Sequence, residues 1–214
     1  MIYKEERKAV AAIMRRLYKQ GLTTSSGGNV SMKNNEGYIF ITASQTDKST
    51  IKWKEIIVID ENGQNTTPEL KPSMELGMHL AIYKSRKDIF AVVHAHPVFS
   101  STLAVAGIKP ISSVTGESRF ILGDISLTEY KTMGSDDLAE ACAKSLQNSE
   151  VSILKNHGAI CVGKNLAEAY NRMEVLELTC RIHYNSLLIN SCNEIDTIGI
   201  EKIDNMKGSA FNQI

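Results

Sequence analysis

Ile89-Phe90-Ala91-Val92-Val93-His94-Ala95-His96 is an apolar run that ends in two imidazoles separated by a single residue. An unbroken apolar run of this length reads as a buried strand. A strand rises about 3.3 Å per residue and alternates its side chains, so His94 and His96 project to one side, close enough to chelate a single metal ion. A further candidate ligand, His157, sits in Lys155-Asn156-His157-Gly158-Ala159, a second strand-to-turn segment.

Working outward from that strand, the chain reads as alternating helices and strands. Val10, Ile13, Met14, Leu17 and Tyr18 fall at helical spacing over residues 4–20, and Gly21 follows where a left-handed cap is needed. Val30-Ser31-Met32 and Tyr38-Ile39-Phe40-Ile41-Thr42 form a hairpin across Asn34-Asn35-Glu36-Gly37, and Ile56-Ile57-Val58-Ile59-Asp60 continues the sheet to the tight-turn signal Asn62-Gly63. Ser73 is placed to cap a helix running through Tyr83, with Leu76, Leu80 and Tyr83 on its buried face and Glu75 in its first turn. Beyond the histidine strand, a short helix spans Phe99 to Ala106 and closes at Gly107. Residues 109–132 carry no clear pattern. Gly134-Ser135-Asp136-Asp137 opens a helix through Leu146, Val151 to Leu154 and Ala159 to Val162 flank His157 as strands, and Leu166 to Ile189 is a long helix. Its buried stripe is Leu166, Ala169, Tyr170, Met173, Leu176 and Cys180. The pattern gives an α+β or α/β/α layered domain, with helices covering a mostly antiparallel sheet. The final residues, 207–214, are expected to be mobile in isolation.

A length of 214 residues suits one domain, and 43% hydrophobic with 22% charged residues is an ordinary globular composition. Twenty-four basic and 24 acidic residues cancel, so no summed field points to nucleic acid or an anionic membrane, and the partner expected is a small molecule. Met1-Ile2-Tyr3-Lys4-Glu5-Glu6-Arg7 reads as neither a secretory signal nor a membrane span, which places the protein in the cytoplasm. Cys142, Cys161, Cys180 and Cys192 lie far apart without a Cys-x-x-Cys pair, as buried reduced thiols do.

The five histidines divide by context. A lone histidine is more often packed or on the surface than a ligand, and His79 and His183, both within helices, are read that way. His94 and His96 on an apolar strand would otherwise need separate buried partners, and a shared cation satisfies both. With His157, three neutral imidazoles leave one open coordination position, the arrangement of a catalytic zinc. Position alone makes Glu75 a surface carboxylate complementing the positive end of its helix. Gly27-Gly28-Asn29 reads alone as an ordinary turn. As an anion nest it would act with Asn29 and the N–H groups near Ser73, holding a phosphate without a basic patch.

Ser26-Gly27-Gly28-Asn29-Val30-Ser31, Lys71-Pro72-Ser73-Met74-Glu75, His94-Ala95-His96-Pro97 and Asn156-His157-Gly158, in that order and spacing, resemble the class II aldolase/adducin family, and within it the members that cleave L-fuculose 1-phosphate. The likeness runs from the first helix to about Ile189, so that residues 1–190 correspond to the family domain and 191–214 to a tail belonging to it. What the resemblance implies is an α/β/α domain in a homotetramer, with each zinc site at a subunit boundary. It implies His94, His96 and His157 as zinc ligands, and Glu75 as the carboxylate that binds zinc at rest and shuttles the proton in the reaction. Gly28, Asn29, Ser44 and Ser73 would hold the phosphate. The implied reaction is reversible cleavage of a ketose 1-phosphate to dihydroxyacetone phosphate and a short aldehyde. The family's sugar-phosphate epimerases carry Asp at the position of Glu75, which favours the aldolase branch over epimerisation or dehydration. The family's non-catalytic adducin-type members lack the histidines that are present here. Gln45 and Met74 stand where the fuculose-cleaving members carry Gly and a second Ser. The tyrosine those members lend to a neighbouring subunit falls near Thr115, with Tyr130 or the tail as substitutes.

Overall fold

The computed structural model describes residues 3–211, with side chains to residue 207. Seven strands form one sheet in the order β3-β2-β1-β4-β7-β6-β5: β1 (Asn29–Lys33), β2 (Ile39–Thr42), β3 (Ile56–Ile59), β4 (Ala91–Ala95), β5 (Ile125–Thr128), β6 (Val151–Leu154) and β7 (Gly158–Gly163). Every pairing is antiparallel except β5 with β6. That parallel pair needs a crossover, supplied by the helix between the two strands.

Among the described residues seven α-helices complete the fold: α1 (Lys4–Lys19), α2 (Leu76–Ser85), α3 (Val98–Val105), α4 (Gly116–Leu122), α5 (Asp136–Ser145), α6 (Leu166–Leu188) and α7 (Thr197–Phe211). The central strand β4 is buried at all five positions, as its apolar run requires. Ala91, Val93 and Ala95 face one core with Val10, Met14 and Leu17 of α1 and Tyr170, Met173 and Leu176 of α6. Val92 faces a second core with Met78 and Ile82 of α2 and Leu138 and Cys142 of α5. By strand alternation His94 lies on that second face. The result is an α/β/α sandwich around a mostly antiparallel sheet.

Most element expectations hold to within a residue or two. α1 ends at Gln20 with Gly21 at φ 70°, and α5 and α6 are capped by the Ser135 and Asn165 side chains. The α6 stripe is buried at Ala169, Tyr170, Met173, Leu176 and Cys180, while Leu166 is half-buried.

Several expectations are corrected. The helix after Ser73 begins only at Leu76, with Glu75 at its N-cap and no side-chain cap. Ser73 instead accepts the Glu75 N–H at 3.3 Å, so Glu75 is outside the first turn. The buried face of α2 is Met78, His79, Ile82 and Tyr83, since the helix rolls His79 toward β1, and Leu76 and Leu80 are only half-buried. The unpatterned residues 109–132 contain a 3₁₀ turn (Ser112–Val114), α4 and the edge strand β5, elements too short to show a period. Cys192 is exposed, while the other three thiols are free and buried. Of the tail, residues 197–211 are helical and pack on α4, where Arg119 clamps Asp204 through Nε at 2.8 Å and Nη2 at 2.5 Å. Residues 212–214, the end of the segment expected to be mobile, lie outside the described residues. Among the described residues no helix is long and apolar enough to cross a membrane.

Candidate metal centre and its cavity

His94 is the last histidine-bearing position inside β4, and His96 lies one residue beyond the strand. Antiparallel register sets Asn29 of β1 and Ile160 of β7 directly opposite His94, so all three side chains share the α2 face. His157 arrives from the three-residue turn of the β6–β7 hairpin. There Asn156 takes a left-handed φ of 55° and the His157 N–H donates to the Leu154 carbonyl at 3.1 Å. Gly158 follows because no side chain fits: a Cβ there would strike the Ala95 carbonyl and lie 2.6 Å from the His96 ring. A Cβ at Gly28, whose φ is 69°, would lie 2.7 Å from the His94 carbonyl, and one at Gly27 would lie 2.6 Å from His96 Nδ1. The glycine loop is therefore shaped by the histidines beneath it.

The three imidazoles offer ligand atoms that all lie within 4.8 Å of one another. His94 Nε2 and His96 Nε2 are 3.1 Å apart. His94 Nδ1 lies 2.9 Å from the Ala159 carbonyl, which can only accept, so this nitrogen carries the proton and Nε2 presents its lone pair inward. Glu75 completes the group, its Oε2 3.2 Å from His94 Nε2 and its Oε1 3.0 Å from His157 Nε2. Neither approach is aligned as a hydrogen bond, and Oε1 is buried without a donor among the described residues. Acceptors turned toward one another in this way are the arrangement of ligands around a shared cation. Three imidazole nitrogens and one carboxylate oxygen suit a zinc-type divalent ion.

A directed chain of hydrogen bonds stands behind Glu75. Its Oε2 accepts from Asn29 Nδ2 at 2.8 Å, and the same amide group is 3.2 Å from Ser73 Oγ. Asn29 Oδ1 therefore faces His79 Nε2, at 2.5 Å, and must receive its proton. That leaves His79 Nδ1 to accept from Ser31 Oγ at 2.7 Å, and Ser31 to accept from Tyr83 at 2.7 Å. His79, read from the sequence as a packed residue, is thus fully buried and fixes the amide that holds Glu75. No local signal in the sequence marks this role, because the partner of His79 lies on β1.

Electrostatics separate these groups. Burial works to raise the Glu75 carboxyl, but the neighbouring His94, His157 and Asn29 outweigh it and hold the group well below the usual carboxylate range. Burial, reinforced by His94, lowers His79 to about 3. Burial with His94 and His157 lowers His96 to about 4. Both rings are therefore neutral at physiological pH, as metal ligation demands of His96.

Beside this group opens a cavity of about 160 Å³ whose wall includes Gly28, Asn29, Ser44, Ser73, Glu75, His96 and His157. Seven of the eight site residues singled out from the sequence thus line one space, with the eighth, His94, directly behind it. Gln45, also in the wall, holds φ at 58°, a conformation in which glycine is the easier residue. Lys48 and Met133 line the cavity too and carried no local motif. Lys48 is a single basic group in a wall read from the sequence as able to hold a phosphate without a basic patch. Thr115 caps α4 through the Ser118 N–H, and neither it nor Tyr130 is part of the cavity wall.

Residues 8–184 match the sequence profile of the Class II Aldolase and Adducin N-terminal domain. The chain is 36% identical over 184 residues to an L-fuculose phosphate aldolase of Methanocaldococcus jannaschii, covering 86% of this chain and 98% of the relative. It is 30% identical over 187 residues to a 5-deoxy-D-ribulose 1-phosphate aldolase of Bacillus thuringiensis serovar kurstaki, covering 87% of each. A solved L-fuculose 1-phosphate aldolase superposes with a TM-score of 0.89 at 29% identity, over 96% of this chain and 97% of that one.

Proposed function

We propose that this chain, which belongs to the class II aldolase and adducin family and shares its metal-dependent lyase chemistry, reversibly cleaves a ketose 1-phosphate of the L-fuculose 1-phosphate kind. The products are dihydroxyacetone phosphate and a short aldehyde. The observation that carries the reading is the trio His94, His96 and His157 with the donorless Glu75 oxygen beside them.

In this reading the three histidines and Glu75 hold one zinc ion per subunit. When bound, the ion supplies the positive charge that stabilises the electron pair released as the C3–C4 bond breaks. Glu75 would carry the proton to C3 in cleavage and remove it in synthesis. Asn29 and, through it, His79 hold the carboxylate in place. Gly28, Asn29, Ser44 and Ser73 receive the phosphate, with the Asn29 side chain also bonded to Glu75. The protein acts in the cytoplasm as a homotetramer with its sites at subunit boundaries. Support for that assembly comes from Met74 and Met133 at the cavity, 70% and 56% exposed, an apolar rim that a neighbouring copy would cover.

Zinc-supplied protein should release dihydroxyacetone phosphate from L-fuculose 1-phosphate or 5-deoxy-D-ribulose 1-phosphate, read by trapping that product. Interconversion of L-ribulose 5-phosphate with no such release would instead identify an epimerase and overturn the proposal.

A further inference from the structure

Lys48 is a buried cation with no ion-pair partner in the cavity wall. It follows Gln45 in the loop after β2, and only 3% of its surface reaches solvent. Its Nζ donates to the Ala43 carbonyl at 2.9 Å and to Thr46 Oγ1 at 3.0 Å. Both acceptors are neutral, and an ammonium carries three donors, so one remains to be used. Among the described residues, Glu55 is the carboxylate whose charge bears on it, and none forms an ion pair with it. Burial lowers the ammonium to about 8 against the pull of Glu55, which leaves it mostly protonated at neutral pH. A buried charge without its opposite is costly to keep, and such a group in a cavity wall is expected to meet an anion.

We propose that Lys48 binds the phosphate group of the substrate. The proposal rests on the phosphosugar reading above and adds to it the residue that neutralises the phosphate charge. The dianion would use the third donor of Lys48 together with the hydroxyls of Ser44 and Ser73 and the backbone of the Gly27-Gly28 loop, all in the same wall. Met74 offers no hydroxyl there, and a charge-assisted donor from Lys48 compensates for that loss. Lys48 therefore selects phosphorylated over free sugars.

The test compares the zinc-loaded parent with Lys48→Met and Lys48→Arg. Inorganic phosphate binding is measured by titration calorimetry, and kinetics are followed with L-fuculose 1-phosphate and with unphosphorylated L-fuculose. Lys48→Met should weaken inorganic phosphate binding and raise KM for the phosphorylated sugar by ~10- to 100-fold, the range for a lost charge-assisted hydrogen bond. The loss should fall on KM more than on kcat, and Lys48→Arg should recover most of it. The melting temperature of Lys48→Met checks folding, and Lys48→Gln replaces it if the apolar variant does not fold. An unchanged phosphate affinity in a folded variant, while the parent cleaves the phosphosugar, overturns the role of Lys48 alone. A parent that neither binds phosphate nor cleaves any ketose phosphate overturns the phosphosugar reading and this one with it.

Discussion

At the scale of single residues, Glu75 and the imidazoles are separable by what each substitution removes. Glu75→Gln keeps an oxygen toward the trio and the bond from Asn29, so zinc should stay bound while turnover falls at least ~100-fold, the lower range for losing a positioned acid–base group. Parent-like cleavage by that variant would remove Glu75 from the mechanism. His94→Ala and His157→Ala should each lose the metal, measured as zinc per subunit after dialysis, and stoichiometric retention in both would contradict the ligand set. His79 acts at one remove. His79→Leu leaves Asn29 Oδ1 and Ser31 Oγ without their partner in a buried setting, which should cost about 2–4 kcal/mol of stability at ~1–2 kcal/mol per orphaned group. It should also lower kcat with zinc content unchanged. His79 was legible only as a helical histidine, because its meaning depends on a strand residue 50 positions away.

At the scale of elements, the β6–β7 hairpin delivers His157 and depends on Gly158. The backbone of Gly158 lies against the end of β4, where an added methyl would meet the Ala95 carbonyl and the His96 ring. Gly158→Ala should therefore cost about 1–3 kcal/mol, the usual range for overpacking a filled interior. Zinc content should fall with it, since His96 and His157 must both move. A variant with unchanged melting temperature and full metal would refute this account. The same hairpin shows what local patterns convey. Val151–Leu154 and Gly158–Gly163 are readable from their apolar runs, whereas α4 is only seven residues long and β5, Ile-Ser-Leu-Thr, is half-buried at its middle positions and carries no apolar run. The phase of α2 is likewise not fixed by its own residues. Its ten residues offer more than one apolar face, and contact of His79 with β1 chooses among them.

At the scale of the whole molecule, the buried neutral histidines couple stability to pH. His79 and His96 are lowered from 6.5 to about 3 and about 4 in the folded state. As pH falls below 6.5 the unfolded chain takes up these protons first, so stability must decline through that window toward the folded values. Glu75, also lowered on folding, adds a further loss as pH falls below its ordinary 4.5. Each unmatched proton contributes up to ~1.4 kcal/mol per pH unit. The melting temperature of the metal-free protein should thus drop steadily from pH 6.5 to pH 4, and His79→Leu should flatten part of that slope. A flat parent profile would mean that these rings are not held neutral by the fold.

The sequence by itself determined the layered architecture, the ends of the long elements and the identity of the three imidazoles. Those follow from local patterns: apolar runs, helical spacing, caps, and two histidines one residue apart on a strand. Tertiary structure alone decided that Asn29 stands beside His94, that His79 reaches across from α2, and that Lys48 is buried with no ion pair among the described residues. Each of these is a meeting of residues remote in the chain. Strand register and helix rotation set such meetings through packing of the whole sheet, and no local pattern encodes that result.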